Sequence, residues 1–328
     1  MRKPLLFAVL AAALIPTLAF AEVGFQHFTI PDPNGGAPMD VGVWYPTDVP
    51  GRPQPLELYT QTVAQDAPIK GRGLPLIVMS HGHGGSYAGH HDTAEALAEA
   101  GFVAAAVTHN GDSWQDSSRA TQLEDRPRQL EALTDYMLDR WPDHGRLNPA
   151  HIGAFGFSAG GFTVLVFAGG EPDLARFGPH CRAHPDFYDC RLIAGAEKRE
   201  TTTPRRWTHD SRVVAVVSAS PAVGFAFGKA GLSKVTAKVQ LWRGEDDPVL
   251  PNPYYAEAVR QDLPTPPEIH VAPHMGHYEF LAPCSSVMAE RLPDLCAHEP
   301  GFDPTAFHQS FNKDVVRFFR ASLAPGKP

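Results

Sequence analysis

Ile152-Gly153-Ala154-Phe155-Gly156-Phe157-Ser158-Ala159-Gly160-Gly161 is the stretch on which the reading of this chain turns. Its first half, Ile152 to Phe157, reads as a buried strand, and the apolar run from Gly161 to Phe167 reads as a helix. Between them lies G-x-S-x-G, whose glycines let the backbone crowd around a sharp strand-to-helix turn. Such a turn frees a serine hydroxyl from packing and presents it to a base, which a serine needs before it can act as a nucleophile. Ser158 is therefore the candidate nucleophile. The motif by itself carries a false-positive risk, and the strand before it and helix after it supply the weight. Ser86, in Gly84-Gly85-Ser86-Tyr87, is a rival serine without that context.

The same alternation continues on both sides of the turn. Leu76-Ile77-Val78-Met79 is a continuous apolar run, as a parallel strand covered on both faces requires. Further strands are expected at Phe102 to Val107, Val213 to Ser218 and Val239 to Trp242, and helices at Thr93 to Ala100, from Asp125 to Arg140, and at Tyr254 to Leu263. A last amphipathic helix, Ala306 to Leu323, places Phe307, Phe311, Val315, Phe318 and Phe319 on one face. The pattern predicts an α/β protein, a mostly parallel central sheet with helices on both faces. Two short β runs, Val23 to Ile30 and Val41 to Tyr45, precede it, and the proline- and glycine-bearing stretch from Gly51 to Gly73 reads as a connector. Glu171 to Ser211 breaks the alternation and is expected to be an inserted cap. Its Arg182, Arg191, Arg199, Arg205 and Arg206 read as a solvated face, with an anion-holding surface as the alternative.

A serine needs an oxyanion hole, a base and an acid. His81-Gly82-His83-Gly84-Gly85 follows the strand ending at Ser80, and its backbone N–H groups can face a developing oxyanion. The donors are assigned to His83 and to Ala159, the residue after the serine. The competing reading, a metal held by His81, His83, His90 and His91, would want H-x-H-x-D-H, and the chain reads H-G-H-G-G-S. Gly244-Glu245-Asp246-Asp247-Pro248-Val249 sets acids just past the end of a late strand, the edge where sites of parallel sheets gather. Asp247 is the preferred orienting acid and Asp246 the alternative. His277, after Gly276 and past the last strand, is the expected general base, with His274 a loop residue. Ser158, Asp247 and His277 fall in the chain order that this fold uses.

The segments H-G-H-G-G, G-F-S-A-G-G, G-E-D-D-P-V and G-H-Y-E-F-L, in this order and spacing, resemble the α/β-hydrolase superfamily. Within it the chain is similar to the predicted dienelactone hydrolases, a group related to platelet-activating-factor acetylhydrolases, over about residues 38 to 325. That resemblance implies a serine-dependent carboxylic-ester hydrolase that uses no cofactor. Authentic dienelactone hydrolases carry cysteine at the elbow where this chain has Ser158, so the resemblance does not assign a substrate. An amidase or peptidase would share the same intermediates. A binding protein on the same fold would be expected to have lost a triad member.

The rest of the composition bounds the setting. With 328 residues, 43% hydrophobic, 20% charged and a net charge of −8, the chain has material for a sizeable core. Disorder, a polytopic membrane protein and a nucleic-acid partner are excluded. Arg2, Lys3, the apolar run Leu5 to Ile15 and Ala19-Phe20-Ala21 read as a cleavable secretory signal over residues 1–21, leaving 22–328 as one hydrolase domain without a membrane span. A periplasmic or secreted protein with a small-molecule ester as its partner is the expectation. Four cysteines fit that compartment: Cys181 with Cys190, and Cys284 with Cys296, are spaced for two loop-stapling disulfides. A zinc site built from all four is the alternative, disfavoured because no C-x-x-C pair is present.

Overall fold

A computed structural model describes residues 22–196, 206–299 and 301–323. The expected signal segment, and Lys198, Arg199, Thr201, Thr202, Thr203 and Arg205 of the expected cap, lie outside the described residues.

In chain order the strands are β1 (Glu22–Ile30), β2 (Met39–Thr47), β3 (Arg52–Leu56), β4 (Tyr59–Gln65), β5 (Leu74–Ser80), β6 (Val103–Val107), β7 (Leu147–Phe157), β8 (Val213–Ala219), β9 (Lys238–Gly244) and β10 (Glu268–Ala272). They form one sheet in the order β10-β9-β8-β7-β5-β6-β2-β1-β4-β3. From β10 to β6 every neighbouring pair is parallel, and β2 then joins β6 antiparallel. The helices are α1 (His91–Glu99), α2 (Asp125–Asp139), α3 (Ala159–Phe167), α4 (Phe177–Ala183), α5 (Tyr188–Gly195), α6 (Gly228–Leu232), α7 (Ala256–Asp262), α8 (Ser286–Arg291) and α9 (Pro304–Ser322).

The sheet is buried on both faces, which is why its strands read as unbroken apolar runs. Leu76 and Val78 of β5 join a core with Leu130 and Leu133 of α2 and Phe162 and Val166 of α3. Ile77 and Met79, pointing the other way, pack with Leu97 of α1 and Phe311 and Phe319 of α9. α9 begins with Asp303 accepting from the Ala306 N–H at 3.0 Å and Pro304 in the first turn, both favourable for a helix start.

One expectation is corrected. Gly51 to Gly73 is not a bare connector, because it contains the hairpin β3–β4, paired from Arg52↔Val63 to Leu56↔Tyr59. Pro53 and Pro55 have no N–H, and a central strand could not tolerate that. β3 lies at the outer end of the sheet, where the missing donors face no neighbour.

Candidate active site

At the end of β7 the chain turns through Ser158 at φ 55° and ψ −118°, a backbone conformation that side chains rarely adopt. The surroundings hold it there. The Ser158 N–H donates to the Ala219 carbonyl at 2.9 Å, and its carbonyl accepts from Ala222 at 2.9 Å and Phe162 at 3.1 Å. Glycine is required on either side: a Cβ on Gly156 would lie 2.1 Å from the Gly160 oxygen, and one on Gly160 would lie 1.9 Å from the Ser80 oxygen. The crowding that the motif implied is thus present.

His277 Nε2 is 3.0 Å from Ser158 Oγ, and His277 Nδ1 is 2.7 Å from Asp247 Oδ2. These three residues are 119 and 30 positions apart in the chain, and the C-terminal edge of the sheet brings them together. The loops after β9 and β10 are zipped to each other. Glu245 N–H donates to Ala272 at 2.9 Å and Asp246 N–H to Met275 at 3.1 Å. Gly244 lets them meet, since a Cβ there would fall 2.4 Å from the carbonyl oxygens of Met275 and Gly276. Phe157 lies under the His277 ring at a centroid distance of 4.8 Å.

Asp247 is buried and fully partnered. Oδ1 accepts from the N–H groups of Val249 (2.9 Å) and Leu250 (2.8 Å), and Oδ2 also accepts from Ser220 Oγ at 3.0 Å. Burial would raise its carboxyl, but His277 and these donors outweigh that and hold it below the usual carboxylate range. Asp246, the alternative acid, points outward to within 4.0 Å of the exposed His274. Ser220 was not singled out from the sequence; its place just past the end of β8 is the signal that could have marked it.

The loop after β5 packs on Ser158: a Cβ on Gly82 would lie 3.3 Å from Ser158 Cβ. His83 and Ala159 both line the cavity that opens at Ser158. The four histidines of this region do not converge. His81 Nδ1 bonds the Gly82 carbonyl at 2.6 Å, His90 is edge-on to Phe155 and Phe157, and His91 Nδ1 is 3.1 Å from the Ala88 carbonyl. Among the described residues the side chains that do cluster as ligands are His180 with Asp189 and Cys190, and Glu245 with Asp246 and His274. Cys190 is not available as a thiolate, because it is bonded to Cys181. Cys284 is bonded to Cys296, so both pairings match the spacing. Ser86, the rival serine, donates to the carboxylate of Glu57 and not to a histidine.

No family model matches the chain. Over 118 residues it is 31% identical to a candidate esterase, NocK, of Nocardia uniformis subsp. tsuyamanensis, a match covering 35% of this chain and 34% of that protein. The chain thus spans about a third of the curated relative it matches. A ferulic acid esterase from Streptomyces cinnamoneus superposes with a TM-score of 0.63 over 96% of this chain and 93% of that one, at 18% identity. The fold is that of the α/β-hydrolases. A dienelactone hydrolase from Anabaena variabilis shares it, with a TM-score of 0.50 over 91% of this chain and 99% of that one, also at 18% identity.

In this fold the cavity beside Ser158 measures about 430 Å³. Its walls are mainly apolar, with Leu174 and Phe177, then Leu192 and Ile193 of α5, facing Val223 and Leu250. The first four come from the segment that interrupts the alternation, where the disulfide between Cys181 and Cys190 ties α4 to α5. Arg182, Arg191 and Arg206 of that region are exposed, as a solvated face requires.

Proposed function

We propose that this protein is a serine-dependent carboxylic-ester hydrolase working through an acyl-enzyme. The observation that carries the reading is the unbroken relay from Ser158 Oγ through His277 to Asp247, at 3.0 and 2.7 Å, opening onto an apolar cavity. Ser158 Oγ attacks the ester carbonyl while His277 Nε2 takes its proton. The N–H groups of His83 and Ala159 hold the oxyanion, and Asp247 stabilises the imidazolium. His277 then protonates the leaving alcohol, and water, activated by the same histidine, releases the acid. The names of the similar proteins, two esterases and a dienelactone hydrolase, favour esters as the substrate class.

The segment around α4 and α5 acts as the cap, since it supplies one apolar wall of the cavity, and it selects small esters with apolar acyl or alkyl groups. Two disulfides fit an exported protein, and no helix among the described residues is long and apolar enough to cross a membrane.

The test is Ser158→Ala on a panel of 4-nitrophenyl esters of increasing acyl length. Activity should fall to the buffer rate with an unchanged circular dichroism spectrum. Substantial turnover in a clean preparation would remove the assignment. Dialysis against a chelator should leave wild-type activity unchanged; a loss that zinc restores would return the histidines to consideration as a metal site.

A further inference from the structure

Behind the loop that carries His83 lies a group of buried polar side chains to which ester hydrolysis assigns no role: Arg126, Asp112, His109 and Gln129. Burying a guanidinium is costly unless its N–H groups find partners. Arg126 is 2% exposed, and each of its three nitrogens has a partner. Nη1 donates to Asp112 Oδ2 at 2.5 Å, Nη2 to the His81 carbonyl and to Ser80 Oγ at 3.4 Å, and Nε to Thr163 Oγ1 at 3.2 Å. Burial works to raise the Asp112 carboxyl, but Arg126 and His83 outweigh it and bring it down to about 2, so the pair stays ionised near neutral pH.

These partners belong to two pieces of backbone. Ser80 and His81 lead into the loop after β5, and Asp112 Oδ1 extends the grip by accepting from the Gly84 N–H at 3.2 Å and from the His83 ring. Thr163 sits in the second turn of α3, where its hydroxyl donates to the Ala159 carbonyl at 2.7 Å. One guanidinium therefore joins the loop of His83 to the helix that begins at Ala159. The two pieces also touch directly, because a Cβ on Gly160 would lie 2.7 Å from the His81 oxygen.

We propose that Arg126, acting through Asp112 on one side and Thr163 on the other, is a positioning residue that sets the separation of the two oxyanion donors, the His83 and Ala159 N–H groups. This rests on the serine-esterase reading. Oxyanion donors work when they lie 2.7–3.1 Å from where the oxygen sits in the transition state, a position the ground-state carbonyl does not occupy. A small shift of either amide therefore lowers turnover and leaves substrate binding alone. The planar fork of arginine can hold three partners at fixed angles; lysine, a point donor, cannot.

The experiment compares wild type with Arg126→Lys, Asp112→Asn and Thr163→Val on 4-nitrophenyl butyrate, each at a temperature where it is folded. Active sites are counted by burst titration with a phosphonate. Arg126→Lys should lower kcat per active site about 10–100-fold, less than the roughly 10²–10³ of losing a donor outright, with KM within about threefold. A matched pair of ketone inhibitors supplies the second readout. With a trifluoromethyl ketone, Ser158 Oγ bonds to the carbonyl carbon, the C=O pair moves onto oxygen, and the serine proton passes to His277. Its affinity should fall by the same factor as kcat/KM, while that of the methyl ketone, bound without an adduct, stays constant. If kcat per active site is unchanged, or KM carries the loss, Arg126 only stabilises the fold and the proposal is overturned. Should Arg126→Lys fail to fold, wild-type kcat in both Asp112→Asn and Thr163→Val overturns it equally. Ser158→Ala in the same assay separates the two levels. Activity retained there removes the esterase reading, whereas activity lost there with wild-type kinetics in the other variants removes only the positioning role.

Discussion

Two histidine–aspartate pairs flank Ser158, and they differ in what lies behind the carboxylate. In the first, His277 with Asp247, the acid is held by two backbone N–H groups and the Ser220 hydroxyl, all neutral donors. In the second, His83 with Asp112, the acid is also bound by the guanidinium of Arg126. The exposures differ as well, both side chains of the first pair being 3% exposed while the His83 side chain is 20% exposed. A carboxylate held by neutral donors keeps its full charge for the imidazole in front of it. It can therefore stabilise the imidazolium that the proposed proton transfer to His277 would create. A carboxylate whose charge is already matched by arginine can fix a neighbour in place but has little field left to support a new cation. On the proposed mechanism the same two residue types thus serve proton transfer in one place and positioning in the other.

The sharpest way to break this comparison is Asp247→Asn. The amide keeps the shape but no longer holds the His277 tautomer, and turnover should fall on the order of 10⁴-fold with KM little changed. His83→Ala retains its main-chain N–H, so it should cost about tenfold or less on the same ester. A collapse comparable to that of Asp247→Asn would make His83 itself a proton carrier and erase the distinction.

A third pair, remote from the cavity, shows what such a contact does for stability. His308 of α9 bonds Asp92 of α1 through Nδ1 at 2.6 Å and the Glu279 carbonyl through Nε2 at 2.9 Å. Burial disfavours the imidazolium, but the Asp92 hydrogen bond and charge outweigh it and raise the His308 pKa, while Asp92 is held well below its ordinary value. For the raised histidine the contribution is complete below its unfolded pKa of about 6.5 and is lost as pH rises through its folded value. For the depressed carboxylate it is present above about pH 4 and lost as pH falls through its folded value. Urea unfolding of His308→Gln should therefore show a deficit of about 1.5–3 kcal/mol near pH 6 that shrinks by pH 9. An equal deficit at both values would mean that packing, and no charge, carries the contact.

The smallest effect is expected for Asp246→Asn. Its side chain is 59% exposed and lies beside the exposed Glu245 and His274, so turnover should stay within about threefold of wild type on one activated ester near neutral pH. A collapse there would move the orienting acid by one residue and undo the first half of the comparison.

Much of this architecture was legible in the chain because the physics behind it is local. Strands covered on both faces must be apolar throughout, which exposed β5 to β9, and an elbow that crowds backbone on backbone must have glycine at Gly156 and Gly160. Candidates for serine, acid and base could be named because strand ends at one edge of a parallel sheet gather in space. Three things were decided only by the tertiary structure. Pro53 and Pro55 argue against a strand until the outer place of β3 makes their missing donors harmless. Asp246 and Asp247 are equivalent as letters, and only the turn, closed by the Val249 and Leu250 N–H groups on Asp247 Oδ1, sends one inward to His277 and the other into solvent. Arg126 looks in sequence like any first-turn helix cation. Its partners lie 14, 37, 45 and 46 residues away, and a buried charge becomes meaningful only when folding has brought all of them within hydrogen-bonding distance.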